Sequence, residues 1–200
     1  MPYLKSLLFA LLLCSSVLAQ TSEEESVARQ WNEVLLEAIR HDQARPTIHA
    51  RNLFHSSALM FEALAVYDEN VENYLLGNTL NDFEFPFYGV SPANEQESVV
   101  LVEEAINYGM YRLVTHRFAS SPGADFTQDL SLDVFLENGG DPEYASLDYI
   151  SDGGAALGNY IAQKIIEFGL QDGSNETAGH INEHYEPSNP DLLIELQGGN

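Results

Sequence analysis

The chain has 200 residues, with 8 Lys+Arg against 31 Asp+Glu and a formal charge of −23. That balance excludes the basic footprint a nucleic-acid-binding protein needs, and it disfavours an anionic membrane surface. The length suits about one domain, able to bury about 70% of its unfolded surface without staples. Hydrophobic residues at 44%, including ten Phe and ten Tyr, exclude a disordered acidic chain.

The first twenty residues read as a secretory signal peptide. Lys5 supplies the charged start, Leu7 to Leu13 the apolar run, and Val17-Leu18-Ala19 the small-residue cleavage pattern. An uncleaved anchor is the alternative, but the run falls short of the ~20 residues that span a bilayer. Cleavage after Ala19 removes residues 1–19, and with them Cys14, the only cysteine, so the mature chain can form no disulfide. A secreted or periplasmic location follows as an expectation. The acidic excess, greater by one unit once Lys5 leaves, suits a soluble protein in a salty medium where self-repulsion is screened.

Beyond the leader, helical periodicity dominates. Ser22 and Glu25 form a capping box ahead of Val27, Trp31, Val34/Leu35 and Ala38/Ile39, predicting a first helix from about Glu23 to Arg40. Pro46 opens a second helix that extends to about Glu69, and its apolar positions wrap more than one face, which predicts a central helix. Residues 70–90 read as a loop whose Phe83, Phe85, Phe87 and Tyr88 pack on the core, because Asn and Asp interrupt any strand pattern. Ser91-Pro92 caps a long third helix ending near Phe118. A fourth spans about Phe126 to Leu136 and stops at the cap signature Asn138-Gly139-Gly140. Asp141-Pro142 starts a last helical stretch through to Gly169, with Gly153-Gly154 able to break or tighten it. The expected fold is therefore all-α, a bundle of about five helices with long loops.

Three segments follow: a signal peptide over 1–19, a helical domain over 20–170, and an irregular connecting segment over 171–200. The last ends on the turn signature Gly198-Gly199-Asn200, which suggests either a truncated record or a native disordered tail.

Chemistry-bearing motifs are sparse. His180-x-x-Glu183-His184 has metal-site spacing, but it lies among Asn, Gly and Pro rather than on a helix, which favours a solvated loop. On the second helix His49 and Asn52 share one face, and Arg51 and His55 another. This is either a polar site between helices or, as we favour, an interhelical anchor at Arg51 with a carboxylate partner drawn from Glu37, Glu62 or Asp68. No G-x-S-x-G elbow and no phosphate-cradling glycine loop occur, and 68–73 lacks the glycine of an EF-hand loop. Carboxylates are too numerous for spacing to select a catalytic pair. Asn175-Glu176-Thr177 is a formal glycosylation sequon. No catalytic, cofactor-binding or metal residue is assigned.

The stretches Trp31–Arg40, Ala44–His55 and Ala58–Asp68, with Ala155–Ala162, Ile165–Asn175 and Asn189-Pro190, resemble the N-terminal region of secreted bacterial vanadium-dependent haloperoxidase-like proteins. These share a superfamily with type-2 phosphatidic acid phosphatases. The resemblance implies an all-α bundle. It also implies either halide oxidation by hydrogen peroxide at bound vanadate, or phosphate-ester hydrolysis at the equivalent oxyanion site. The family's K-x6-R-P, P-S-G-H and S-R-x5-H motifs are absent: Ala38 stands seven positions before Arg45-Pro46, Gln171-Asp172 stand seven and eight after Lys164, and Ala124 follows Gly123. The chain is thus expected to be inactive alone, with vanadate and the C-terminal catalytic bundle belonging to the complete protein. The competing reading is a self-contained acidic helical binding module. Self-association of the chain is left open by both.

Overall fold

A computed structural model describes residues 25–90, 94–183 and 186. Five helices carry the fold: α1 (Val27–Arg40), α2 (Pro46–Ala65), α3 (Glu95–Arg117), α4 (Ala124–Glu137) and α5 (Gly153–Gly169). A hairpin of two short strands, β1 (Thr79–Leu80) and β2 (Phe83–Glu84), and a 3-10 turn at Glu176–Ala178 complete it. The all-α class read from periodicity is the class observed. Among the described residues no helix is long and apolar enough to cross a membrane.

Local chemistry sets the helix ends. The Ser26 side chain accepts from the Arg29 amide at the start of α1; the Ser22 cap expected from the sequence lies outside the described residues. Pro92 also lies outside them. The start of α3 is instead fixed by Asn94, whose side chain accepts from the Glu97 amide while the Glu97 carboxylate accepts from the Asn94 amide. Reciprocal bonds of this kind satisfy two amides that the helix leaves unpaired. At the end of α4, Gly139 adopts a left-handed φ of 77°, the Gly140 amide returns to Phe135 O (2.8 Å) and the Gly139 amide to Leu136 O (3.0 Å). This is the glycine stop read from Asn138-Gly139-Gly140.

Four expectations need correction. The second helix stops at Ala65 rather than near Glu69, because a buried carboxylate described below gathers the amides of the following loop. The last helix starts only at Gly153, whose left-handed φ of 73° keeps a right-handed helix from running on from residue 141, and residues 141–152 form turns and irregular chain. Asn81-Asp82, which interrupts the strand pattern, is itself the two-residue hairpin turn, with left-handed φ values of 49° and 64°. Such a pair gives the twist that a tight antiparallel connection requires. Finally, the central helix is α3, which packs against α1, α2, α4 and α5; α2 leaves one face uncovered.

The core joins Trp31 and Leu35 of α1, Leu59 of α2, Met110 and Leu113 of α3, Phe135 of α4 and Leu157, Ile161 and Ile165 of α5, all essentially inaccessible to solvent. Each large apolar side chain so buried contributes about 1.5–3 kcal/mol. Trp31 Nε1 donates to Asn107 Oδ1 (2.9 Å), and Asn107 Nδ2 donates to Phe135 O (3.0 Å), so one amide ties α1, α3 and α4 together. Helices α3 and α5 approach most closely. A Cβ on Gly158 would stand 2.2 Å from Ala105 O, and one on Gly154 would stand 2.4 Å from Leu101 O. Only glycine permits that backbone contact. The matched order of these pairs makes the two helices parallel.

Candidate functional site

The C-terminal ends of α3 and α5 meet the N-terminal half of α2, and there the structure gathers a buried charge cluster. Arg51 of α2 sends Nε to Asp172 Oδ2 (2.5 Å) and Nη2 to both Gly169 O (2.9 Å) and Glu176 Oε2 (2.7 Å). Arg117, the last residue of α3, with its side chain 2% exposed, donates Nη1 to the same Glu176 oxygen and Nη2 to His55 Nδ1 (3.1 Å) and Ile165 O (3.3 Å). His116 Nε2 stands 3.3 Å from Glu176 Oε1. Two cations thus sit at the negative ends of two helices, and Arg51 satisfies the α5 carbonyl at Gly169 that has no partner within the helix. Gly169 leaves room for the two guanidinium groups: a Cβ there would lie 2.4 Å from Nη2 of each arginine, so both would have to shift.

The two carboxylates come from the loop after α5. Ser174 N donates to Asp172 Oδ1 (2.9 Å), Asn175 is left-handed with φ of 55°, and the His180 amide returns to Asn175 O (2.8 Å). The loop therefore presents Asp172 and Glu176 inward on a closed turn. Burial works against the Asp172 charge, but hydrogen bonds from Arg51 and Ser174 and the Arg51 charge hold its carboxyl below the ordinary range. Burial likewise opposes the Glu176 charge, yet the His116 hydrogen bond and the charge and bonds of Arg117, with the bond from Arg51, hold its carboxyl far below normal. His55 behaves oppositely: burial, then the charges of Arg117 and Arg51, lower it from 6.5 to about 4. It is neutral at pH 7, accepting at Nδ1 from Arg117, so its proton sits on Nε2, 3.7 Å from Asp172 Oδ2.

With His55 neutral, Arg51 and Arg117 are matched by Asp172 and Glu176. Breaking such a pair by removing one partner costs about 3–5 kcal/mol, because a buried charge is left uncompensated. An oxyanion such as vanadate does not fit this cluster. It would have to displace both carboxylates, and the two guanidinium atoms without a hydrogen-bond partner among the described residues, Arg51 Nη1 and Arg117 Nε, are buried.

A second buried polar centre lies on α2. Glu62 is fully buried, and its carboxylate accepts from Leu75 N (2.7 Å), Tyr74 N (2.8 Å), Leu76 N (3.0 Å) and Asn73 Nδ2 (2.9 Å). Four donors match the lone-pair sites of one carboxylate, so Glu62 works as the template of the 73–76 turn.

The anchor role read for Arg51 agrees with its surroundings, but its expected partners were the wrong ones. Glu62 holds the turn, Glu37 pairs with Arg40 and His41, and Asp68 accepts from Asn70. Asp172 and Glu176 lie more than 120 residues away in sequence from Arg51, in a segment without periodicity. The nearest sequence signal was the Asp-Gly-Ser-Asn turn at 172–175. His49 and Asn52, read as sharing one face of α2, are both buried, with His49 Nε2 2.8 Å from Gln43 O. In the H-x-x-E-H pattern, His180 has a left-handed φ of 62° and its Nδ1 lies 2.9 Å from Ser174 O, while His184 lies outside the described residues. Among the described residues no group of three or more His, Cys, Asp or Glu is arranged to hold a metal ion.

Comparison with protein-family models, with curated proteins and with solved structures found no match.

Proposed function

We propose that this chain is exported behind a leader ending at Ala19 and forms the helical N-terminal part of a vanadium-dependent haloperoxidase-like protein, with a structural rather than a catalytic task. The observation that supports this reading is the internally neutralised cluster of Arg51, Arg117, Asp172 and Glu176. Its chemistry is that of a latch: it fixes the direction of the chain after α5 and leaves no free positive centre within itself for an oxyanion. In the complete protein the oxyanion's basic groups and histidine belong to the catalytic bundle, and this part packs against that bundle and shapes the pocket. The uncovered face of α2 favours a second reading, an acidic helical binding module.

Two measurements test the proposal. Vanadate-dependent bromide oxidation by the purified chain is expected at background, and activity above background overturns the structural role. Reading onward in the parent open reading frame is expected to reveal K-x6-R-P and P-S-G-H. A stop directly after Asn200 overturns the haloperoxidase-like assignment in favour of the module.

A further inference from the structure

The outward side of α2 departs from the rest of this acidic surface. Every exposed position of the helix, from Pro46 to Leu64, is uncharged, although charged residues make up 20% of the chain. Leu53 (40% exposed), Phe54 (46%), Phe61 (41%) and Leu64 (46%) form a stripe along one side at helical spacing, with the small Ser57 exposed between its two halves. It spans about 16 Å at 1.5 Å per residue. Isolated apolar residues are ordinary on a surface, whereas large apolar side chains clustered along one helix side mark an interaction site. The stripe runs into a groove of about 1120 Å³ between α2 and the N-terminal half of α3, where Phe61, Leu64, Val99, Val102 and Ile106 supply apolar walls. Asp68, Glu69, Glu95 and Glu103 also line it, and its described lining holds no Lys, Arg or His.

We propose that this stripe and groove are a docking surface for a cationic amphipathic α-helix, one that lays apolar residues at i, i+3/i+4 and i+7 along α2 and seats lysine or arginine over the four carboxylates. The apolar row sets the helical form of the occupant, since its spacing matches the helix-in-groove mode. The carboxylates set its sign. A second copy of the chain would bring the same acidic rim and a further −23, opposing the contact by like-charge repulsion. An uncharged helix would cover the carboxylates without pairing them. The inference does not depend on the haloperoxidase-like reading, because it concerns the chemistry of the occupant and not its origin.

The test uses the purified chain and three fluorescent 18-residue peptides: a helical Leu/Lys peptide with leucines at i, i+3, i+4 and i+7, the same peptide with Glu for Lys, and a scrambled Leu/Lys sequence. Expected are binding of the first alone, with slowed amide exchange in α2 and the first half of α3. The double variant Phe61→Ser/Leu64→Ser should weaken binding at least about ten-fold. Both positions are exposed, so an unchanged far-UV circular dichroism spectrum certifies the fold of the variant. Absence of Leu/Lys binding, equal binding of the scrambled or Glu peptide, or indifference to the double variant overturns the proposal. So do two results on the free chain: protection of the stripe that requires dimerisation, and protection that vanishes on removing residues 1–19, which assigns the groove to the leader.

Discussion

His55 makes the charge cluster sensitive to mild acid, and its contribution can be isolated. Its pKa lies near 6.5 in an unfolded chain and at about 4 in the fold, where burial and the neighbouring arginines oppose protonation. A group whose folded pKa is depressed contributes stability that is present above the unfolded value and lost as pH falls toward the folded one. Between pH 7 and pH 5 the unfolded chain takes up most of a proton at this site and the folded chain almost none, a loss of about 2 kcal/mol by linkage. Asp172 and Glu176 add little in that window, since both stay ionised folded and unfolded. The matched variant is His55→Asn, whose carbonyl oxygen can accept the Arg117 hydrogen bond without titrating. Urea unfolding followed by Trp31, the single and fully buried tryptophan, reports both proteins at pH 7, 6 and 5. The wild type should lose about 2 kcal/mol more than His55→Asn across the interval, the other histidines cancelling in the difference. Superimposable pH profiles would refute a neutral His55 buried against two cations.

Two further substitutions test the packing. Glu62→Gln keeps shape but turns an amide nitrogen toward two of the four donors, and should cost about 2–3 kcal/mol in urea unfolding. Hydrogen exchange should then quicken at the amides of Tyr74, Leu75 and Leu76; unchanged protection there would remove Glu62 as the template of the turn. Gly158→Ala gains about 1 kcal/mol of helix propensity but drives a Cβ into the Ala105 carbonyl, so a net loss of about 2 kcal/mol and a Tm about 5 °C lower are expected by calorimetry. A raised Tm would mean that α3 and α5 can separate without cost.

Where the sequence spoke through local physics, it spoke plainly. Val27, Trp31, Val34, Leu35 and Ala38 recur on one helical face and are the residues α1 buries. Asn138-Gly139-Gly140 could end a helix in only one way, and it does. The failures share a cause in distant contacts. The end of α2 is set by Glu62 reaching forward to Asn73 and the amides of residues 74–76, and no pattern within the helix announces this. The loop holding Asp172 and Glu176 lacks any period, so its part in burying Arg51 and Arg117 becomes visible only once α2, α3 and α5 converge. Of the aromatic cluster only Phe83 departs from the loop reading, standing in β2 directly after the Asn81-Asp82 turn; Phe85 lies in the loop beyond β2 and packs on the core beside Phe168 as expected.

The parallel pairing of α3 and α5 bears on how the chain finds its fold. Helices linked as successive antiparallel neighbours can zip together from their shared turn, whereas a parallel pair offers no such starting point. Residues 118–152 must first carry the chain back along the whole of α3, by way of α4, before Gly158 can meet Ala105. The tightest interface in the molecule is therefore also one of high sequence separation, and its closure entropy must be met before its contacts form. Folding should be slower than in an up-and-down bundle of equal length, and the 170–180 loop can lock only after α5 has docked.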